Sequence, residues 1–158
     1  MDDLACLSPP ERVTRWAQLL EQVDSRIRER AEGRVDWVRL KINLIRKGRA
    51  MEVYSAADAA VRTATFVAEL HRQGIAREVA EVLPSADELV RACLAEIRIP
   101  PEKALTRGVF EDLDVNAIRR TRQAKILVDA AEKHAARLVD PRVAAELRRW
   151  TALKPYLV

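Results

Sequence analysis

Arg34-Val-Asp-Trp-Val-Arg-Leu-Lys-Ile-Asn-Leu-Ile-Arg-Lys-Gly-Arg49 is the stretch on which the fold class turns. Two periodicities are superimposed in it. Val38, Leu40, Ile42 and Leu44 alternate with Arg39, Lys41 and Asn43, as in a strand, and Lys47-Gly48 offers a turn toward a partner strand holding Met51 and Val53. Val35, Val38, Ile42 and Ile45 keep helical spacing, while Trp37, Leu40 and Leu44 mark a second apolar stripe. A lone hairpin in an otherwise helical protein is marginally stable, so the stretch is read as a helix with two apolar sides. A β-hairpin over 34–54 stands as the alternative.

The sequence on either side supports the helical reading. Aromatic residues make up 4% of the chain, glycine occurs four times, and apolar residues recur at intervals of three and four. Upstream, Ser8-Pro9-Pro10-Glu11 opens a helix with an N-cap serine, a proline where no backbone donor is needed, and a glutamate that closes a capping box. Val13, Trp16, Leu20, Val23 and Ile27 then form a narrow seam, read as packing within the chain's own bundle, on a helix expected to reach Gly33. Downstream, Ser55-Ala-Ala-Asp58 and Ser85-Ala-Asp-Glu88 repeat the capping signal. Ala57, Ala60, Val61, Ala64, Val67 and Ala68 share one face of the first of these helices, which is expected to end near Gly74. Leu89, Val90, Cys93, Leu94 and Ile97 form the core side of the second. Asp114 is read as the N-cap of a long helix to about Val139, with Ala117, Ala124, Leu127, Val128, Ala131, Ala135, Leu138 and Val139 on its apolar arc. Asp140-Pro141 starts a last helix, and the tail Lys154-Pro-Tyr-Leu-Val158 is expected to dock.

The expected fold is therefore an all-α bundle of about five to seven helices. Residues 1–98 form an N-terminal helical region, 99–113 a linker or loop, and 114–158 a C-terminal helical region packed on the first as one domain. A functional loop at Thr106-Arg107-Gly108 is weighed against a plain connector, which is preferred.

Charge is segregated along the chain. Residues 1–33 hold five basic and seven acidic side chains, a net of −2, and residues 34–49 hold six and one, a net of +5. The stretch 50–113 holds seven and eleven, a net of −4, and 114–158 holds ten and five, a net of +5. Such blocks mark surfaces that meet something anionic or meet each other, and carry no information about chemistry. Arg119, Arg122, Lys125, Lys133 and Arg137 fall on one face of the long late helix, and Arg142, Arg148 and Arg149 lie on the outer side of the last one. With Arg39, Lys41, Arg46, Lys47 and Arg49 from the first block, they are the candidate contacts for nucleic acid or an acidic partner. Asp129, four residues from both Lys125 and Lys133, is the carboxylate expected to neutralise part of that face.

Signals for chemistry are weak. Neither a Gly-x-x-x-x-Gly-Lys loop nor Gly-x-Gly-x-x-Gly occurs, and Cys6, His71, Cys93 and His134 stand alone in sequence without metal-ligand spacing. Neither cofactor nor metal is expected, and the cysteines are read as reduced thiols. Both histidines border packed faces, so a hydrogen-bonded packing role is preferred to a general base, and the chain is not expected to be an enzyme. No apolar run reaches the roughly 20 residues that cross a bilayer, which leads to an expected cytoplasmic location without membrane contact. Residues 77–94 resemble a helix-turn-helix, the basis for an alternative as a sequence-specific DNA-binding regulator. In it Pro84-Ser85 replaces the usual turn glycine, and Asp87 and Glu88 would head the reading helix. The preferred expectation is a non-catalytic subunit or adaptor of a larger assembly, with a homo-oligomer or protein partner possible in principle, that contacts RNA, DNA or an acidic protein through its basic helix faces.

Overall fold

The computed structural model describes residues 6–29, 32–99 and 115–157, with side chains described from residue 119 in the last range. Among these residues the chain is all-α. Six α-helices follow in order: α1 (Pro9–Glu29), α2 (Arg34–Ala50), α3 (Ala56–Arg72), α4 (Ala86–Ala95), α5 (Val115–Glu132) and α6 (Pro141–Leu153). No strand occurs among them, and the ambiguous stretch is helix α2, followed by a turn at Met51–Tyr54. Residues 100–114, with Asp114 and the Thr106-Arg107-Gly108 tripeptide, lie outside the described residues.

Two compact units group these elements. One comprises Met1–Ala59 and Glu69–Leu83, the other Ala60–Ala68 and Pro84–Val158. Helix α3 therefore contributes its two ends to the first unit and its middle to the second. Ala57, Ala64 and Val67 are buried on the expected small-residue face, and Ala59, Phe66 and Leu70 are buried on the opposite one.

In the first unit α1 and α2 form an antiparallel hairpin. Three polar links fix the register: Trp16 Nε1 donates to the Leu44 carbonyl at 2.8 Å, Lys41 pairs with Asp24, and Arg34 Nε donates to the Ile27 carbonyl at 3.0 Å. Gly33, at φ +73°, turns the chain into α2, a left-handed conformation that glycine adopts without the Cβ penalty. Trp16, Val23 and Ile27 of the expected seam are buried, as are Val38, Ile42 and Ile45 of α2, whereas Val13 is 53% exposed. A short 3-10 turn at Ala80–Val82 packs on α2, and Arg34 holds the adjoining segment by an ion pair to Glu78 at 2.9 Å.

Helices α4, α5 and α6 pack on one another in the second unit. Ser85 caps α4 by accepting from the Glu88 N–H at 3.1 Å, and Asp140 caps α6 by accepting from the Arg142 N–H at 2.9 Å. The core takes Leu89, Val90, Cys93 and Leu94 from α4, and Ala124, Leu127, Val128 and Ala131 from α5. Val143, Leu147, Trp150 and Leu153 come from α6. Leu157 is buried, so the tail docks as expected, with Tyr156 outside.

Two helix ends differ from the sequence reading; α1, expected to reach Gly33, ends at Glu29, and the larger difference is later in the chain. The long helix ends at Glu132 rather than Val139, giving way to a 3-10 turn at Ala135–Arg137 and an extended Leu138. Tertiary bonds impose this end. His134 is fully buried with its Nε2 2.8 Å from the Ala64 carbonyl, and the Asp87 carboxylate accepts from the N–H groups of Val139 and Asp140 at 3.1–3.2 Å. Val139, assigned to the apolar arc by helical spacing, is consequently 85% exposed.

Candidate functional site

The exposed side of α5 gathers the strongest set of unpaired cations. Arg119, Arg122 and Lys125 recur every third residue along it, and Lys133 follows just past its last turn; all four are exposed and make no ion pair among the described residues. Asp129 lies on the same side but does not neutralise them. Lys154, reaching back from the segment after α6, pairs with Asp129 and, at 2.7 Å, with Glu132, which also accepts from the Thr151 hydroxyl. Hydrogen bonds to these two carboxylates hold the Lys154 ammonium well above the usual lysine range. The two acidic side chains nearest the basic face are thus occupied from behind. Ile126, 49% exposed, is the one large apolar residue displayed beside these cations among the described residues.

The remaining predicted contacts divide between outward and inward uses. Arg142, Arg148 and Arg149 are exposed on α6, with Arg142 and Arg149 seven residues apart on one side of the helix. Arg137 is turned inward. Its Nη2 donates to the Lys133 carbonyl at 3.2 Å and meets His134 Nδ1 at 3.0 Å, while its buried Nε has no hydrogen-bond partner among the described residues. A guanidinium can only donate, so Nδ1 accepts and Nε2 carries the proton that bonds the Ala64 carbonyl. His134 is thereby a neutral, enclosed link between the turn after α5 and the middle of α3. His71, read as bordering a packed face, is exposed at the end of α3.

The first basic block is placed in the other unit. Arg39 pairs with Asp36 at 3.0 Å and Lys41 with Asp24, while Arg46, Lys47 and Arg49 are exposed on α2.

Between α1 and α2 lies a groove of about 620 Å³ that sequence reasoning did not find. Leu19, Val23, Trp37, Leu40 and Leu44 form its floor. The second apolar stripe of α2 was its only visible trace.

Residues 77–94 do not form two helices. The first half is a series of turns with a three-residue 3-10 segment, and Asp87 at the head of α4 is engaged with the backbone before α6. Neither cysteine is in a disulfide; Cys6 is exposed, and burial pushes the Cys93 thiol up to about 12. No cluster of three metal-ligating side chains occurs among the described residues, and no helix there is long and apolar enough to cross a membrane. Comparison with protein-family models, curated proteins and solved structures finds no match.

Proposed function

We propose that the protein is a non-catalytic helical subunit or adaptor that holds a nucleic-acid backbone through the basic face of α5. The observation that carries this reading is that Asp129 and Glu132, the carboxylates of α5, pair with Lys154 and with none of Arg119, Arg122, Lys125 and Lys133, whose charges stay outward. Cations so placed gain affinity by releasing the counterions condensed on a phosphate chain, with no need for base contacts. Among the described residues this face displays no aromatic platform for unpaired bases, which favours duplex or backbone contact over stacking. Arg142 and Arg148 on α6 add two further exposed cations to the same unit.

Fluorescence anisotropy with a labelled 20-base-pair duplex, over a salt series from about 50 to 200 mM, tests the proposal. Binding should fall steeply with salt, and the triple variant R119E/R122E/K125E should lose it, with a salt slope shallower by about three. Equal affinity in the variant, or wild-type binding indifferent to salt, would refute the assignment. A parallel measurement with single-stranded RNA distinguishes the two polymers by their affinity ratio.

A further inference from the structure

We propose that the groove between α1 and α2 is a docking site for an amphipathic helix of an acidic partner protein. Its walls are two rails with the spacing of helix-packing seams. Positions 15, 19, 22, 26 and 29 of α1 and positions 37, 40, 44 and 47 of α2 alternate in steps of three and four. The longer rail extends about 21 Å at 1.5 Å per residue, the length of a four-turn helix. Because the hairpin is antiparallel, the rails lie side by side, and a third helix laid between them completes a three-helix arrangement.

The floor is apolar and partly open. Leu40 is 41% exposed, and Leu19, Trp37 and Leu44 are half-buried. The rim is cationic. Arg15, Arg26 and Lys47 stand against a single carboxylate, Glu29. Arg26 lies over the Trp37 ring, 5.9 Å from its centroid, and neither it nor Lys47 makes an ion pair among the described residues. Cation-π contact holds the Arg26 charge at the edge of the floor without neutralising it.

An apolar floor with a positive rim selects an occupant that is apolar on one side and acidic at its flanks, which is the helix-in-groove mode of recognition. Rim charge also decides against two other occupants. A second copy docked through the same face would bring two net-positive rims together, which costs association free energy. Duplex nucleic acid would meet the rim charges yet leave the five floor residues covered by phosphate and sugar instead of apolar groups.

The test uses the full-length protein and two labelled 18-residue helical peptides. Both carry leucines at i, i+3, i+4 and i+7; one has glutamates at the flanking positions and its twin has lysines. Anisotropy should show binding of the acidic peptide and at least about tenfold weaker binding of the basic twin. Leu40→Glu should abolish acidic-peptide binding, and R26E/K47E should reverse the preference between the twins. All three positions are on the outer side of the hairpin, and circular dichroism of each variant verifies that its helices persist. R119E/R122E/K125E should bind the peptide as the wild type does, which separates this site from the basic face of α5. Failure of the acidic peptide to bind, equal binding of the twins, or undiminished binding by Leu40→Glu overturns the proposal. So does displacement of the peptide by duplex DNA, or a wild-type dimer in light scattering that Leu40→Glu dissociates.

Discussion

Replacing Gly48 with alanine should destabilise the first unit, although alanine is the better helix former by about 1 kcal/mol. Gly48 is buried within α2, and a Cβ built there would stand 2.7 Å from two ring carbons of Tyr54 and 2.9 Å from Nε1 of Trp16. Carbon atoms rest at about 3.5–4.0 Å, so each neighbour must retreat by roughly 1 Å. Tyr54 is only half-buried and can yield, but Trp16 is fully buried and its Nε1 is committed to the Leu44 carbonyl at 2.8 Å. Forcing an extra methyl into such packing costs about 1–3 kcal/mol. Weakening the indole hydrogen bond adds about 1 kcal/mol. Subtracting the propensity gain leaves a net loss of about 1–3 kcal/mol. Urea unfolding followed by tryptophan fluorescence in a Trp150→Phe background reads it, because Trp16 and Trp37 both belong to the first unit. Adding Tyr54→Ala should recover part of the loss by removing two of the three close approaches. A Gly48→Ala protein as stable as its parent would show that α1, α2 and the Tyr54 turn are not interlocked as described.

Cys93 should resist iodoacetamide at pH 8 in the folded protein while exposed Cys6 is alkylated, a difference that mass spectrometry resolves and that disappears in denaturant. Its thiol is raised from 9.0 to about 12 by burial, so the fold favours the protonated form and this contribution to stability is lost as pH rises from about 9 toward 12. Cys93→Ala should flatten that alkaline decline in thermal melts. Asp87→Ala strands the Val139 and Asp140 N–H groups and should cost about 1 kcal/mol, with Asp87→Asn costing less because one acceptor remains. Lys154→Met releases Asp129 and Glu132 beside the α5 cations, so duplex affinity should fall, and adding Asp129→Asn should restore it; unchanged affinity in Lys154→Met would contradict that electrostatic arrangement.

Much of the fold was legible because helix starts are local. Ser55 and Ser85 accept from the N–H groups of Asp58 and Glu88, Asp140 caps α6, and the two-sided pattern of 34–49 is a helix with one stripe buried. Helix ends depend on distant partners. Nothing near Glu132 announces a stop, since Ala135 and Leu138 continue the apolar spacing; the stop is imposed by Ala64 and Asp87, some 45 to 70 positions away in the chain. The same distinction applies to charge. Spacing placed Asp129 within reach of Lys125 and Lys133, and only the folded chain brings Lys154 to it. The inward turn of Arg137 could not be read from a helical wheel because its residue is no longer on the helix. At the groove, sequence gave the apolar stripe of Trp37, Leu40 and Leu44 but not that it would be left uncovered.

Because α3 is divided between the two units, no single cut in the chain leaves both of them whole. A fragment from Pro84 onward lacks Ala60–Ala68 and so deprives His134 of the Ala64 carbonyl and Cys93 of the Ala60 carbonyl. One ending at Leu83 retains α3 but exposes Ala64, Phe66 and Val67 without the unit they belong to. Proteolysis, gene fission or domain shuffling at the junction before Pro84 would therefore strip the second unit of its α3 segment and leave that segment uncovered on the first fragment, so the protein is transmitted as an indivisible piece despite having two cores.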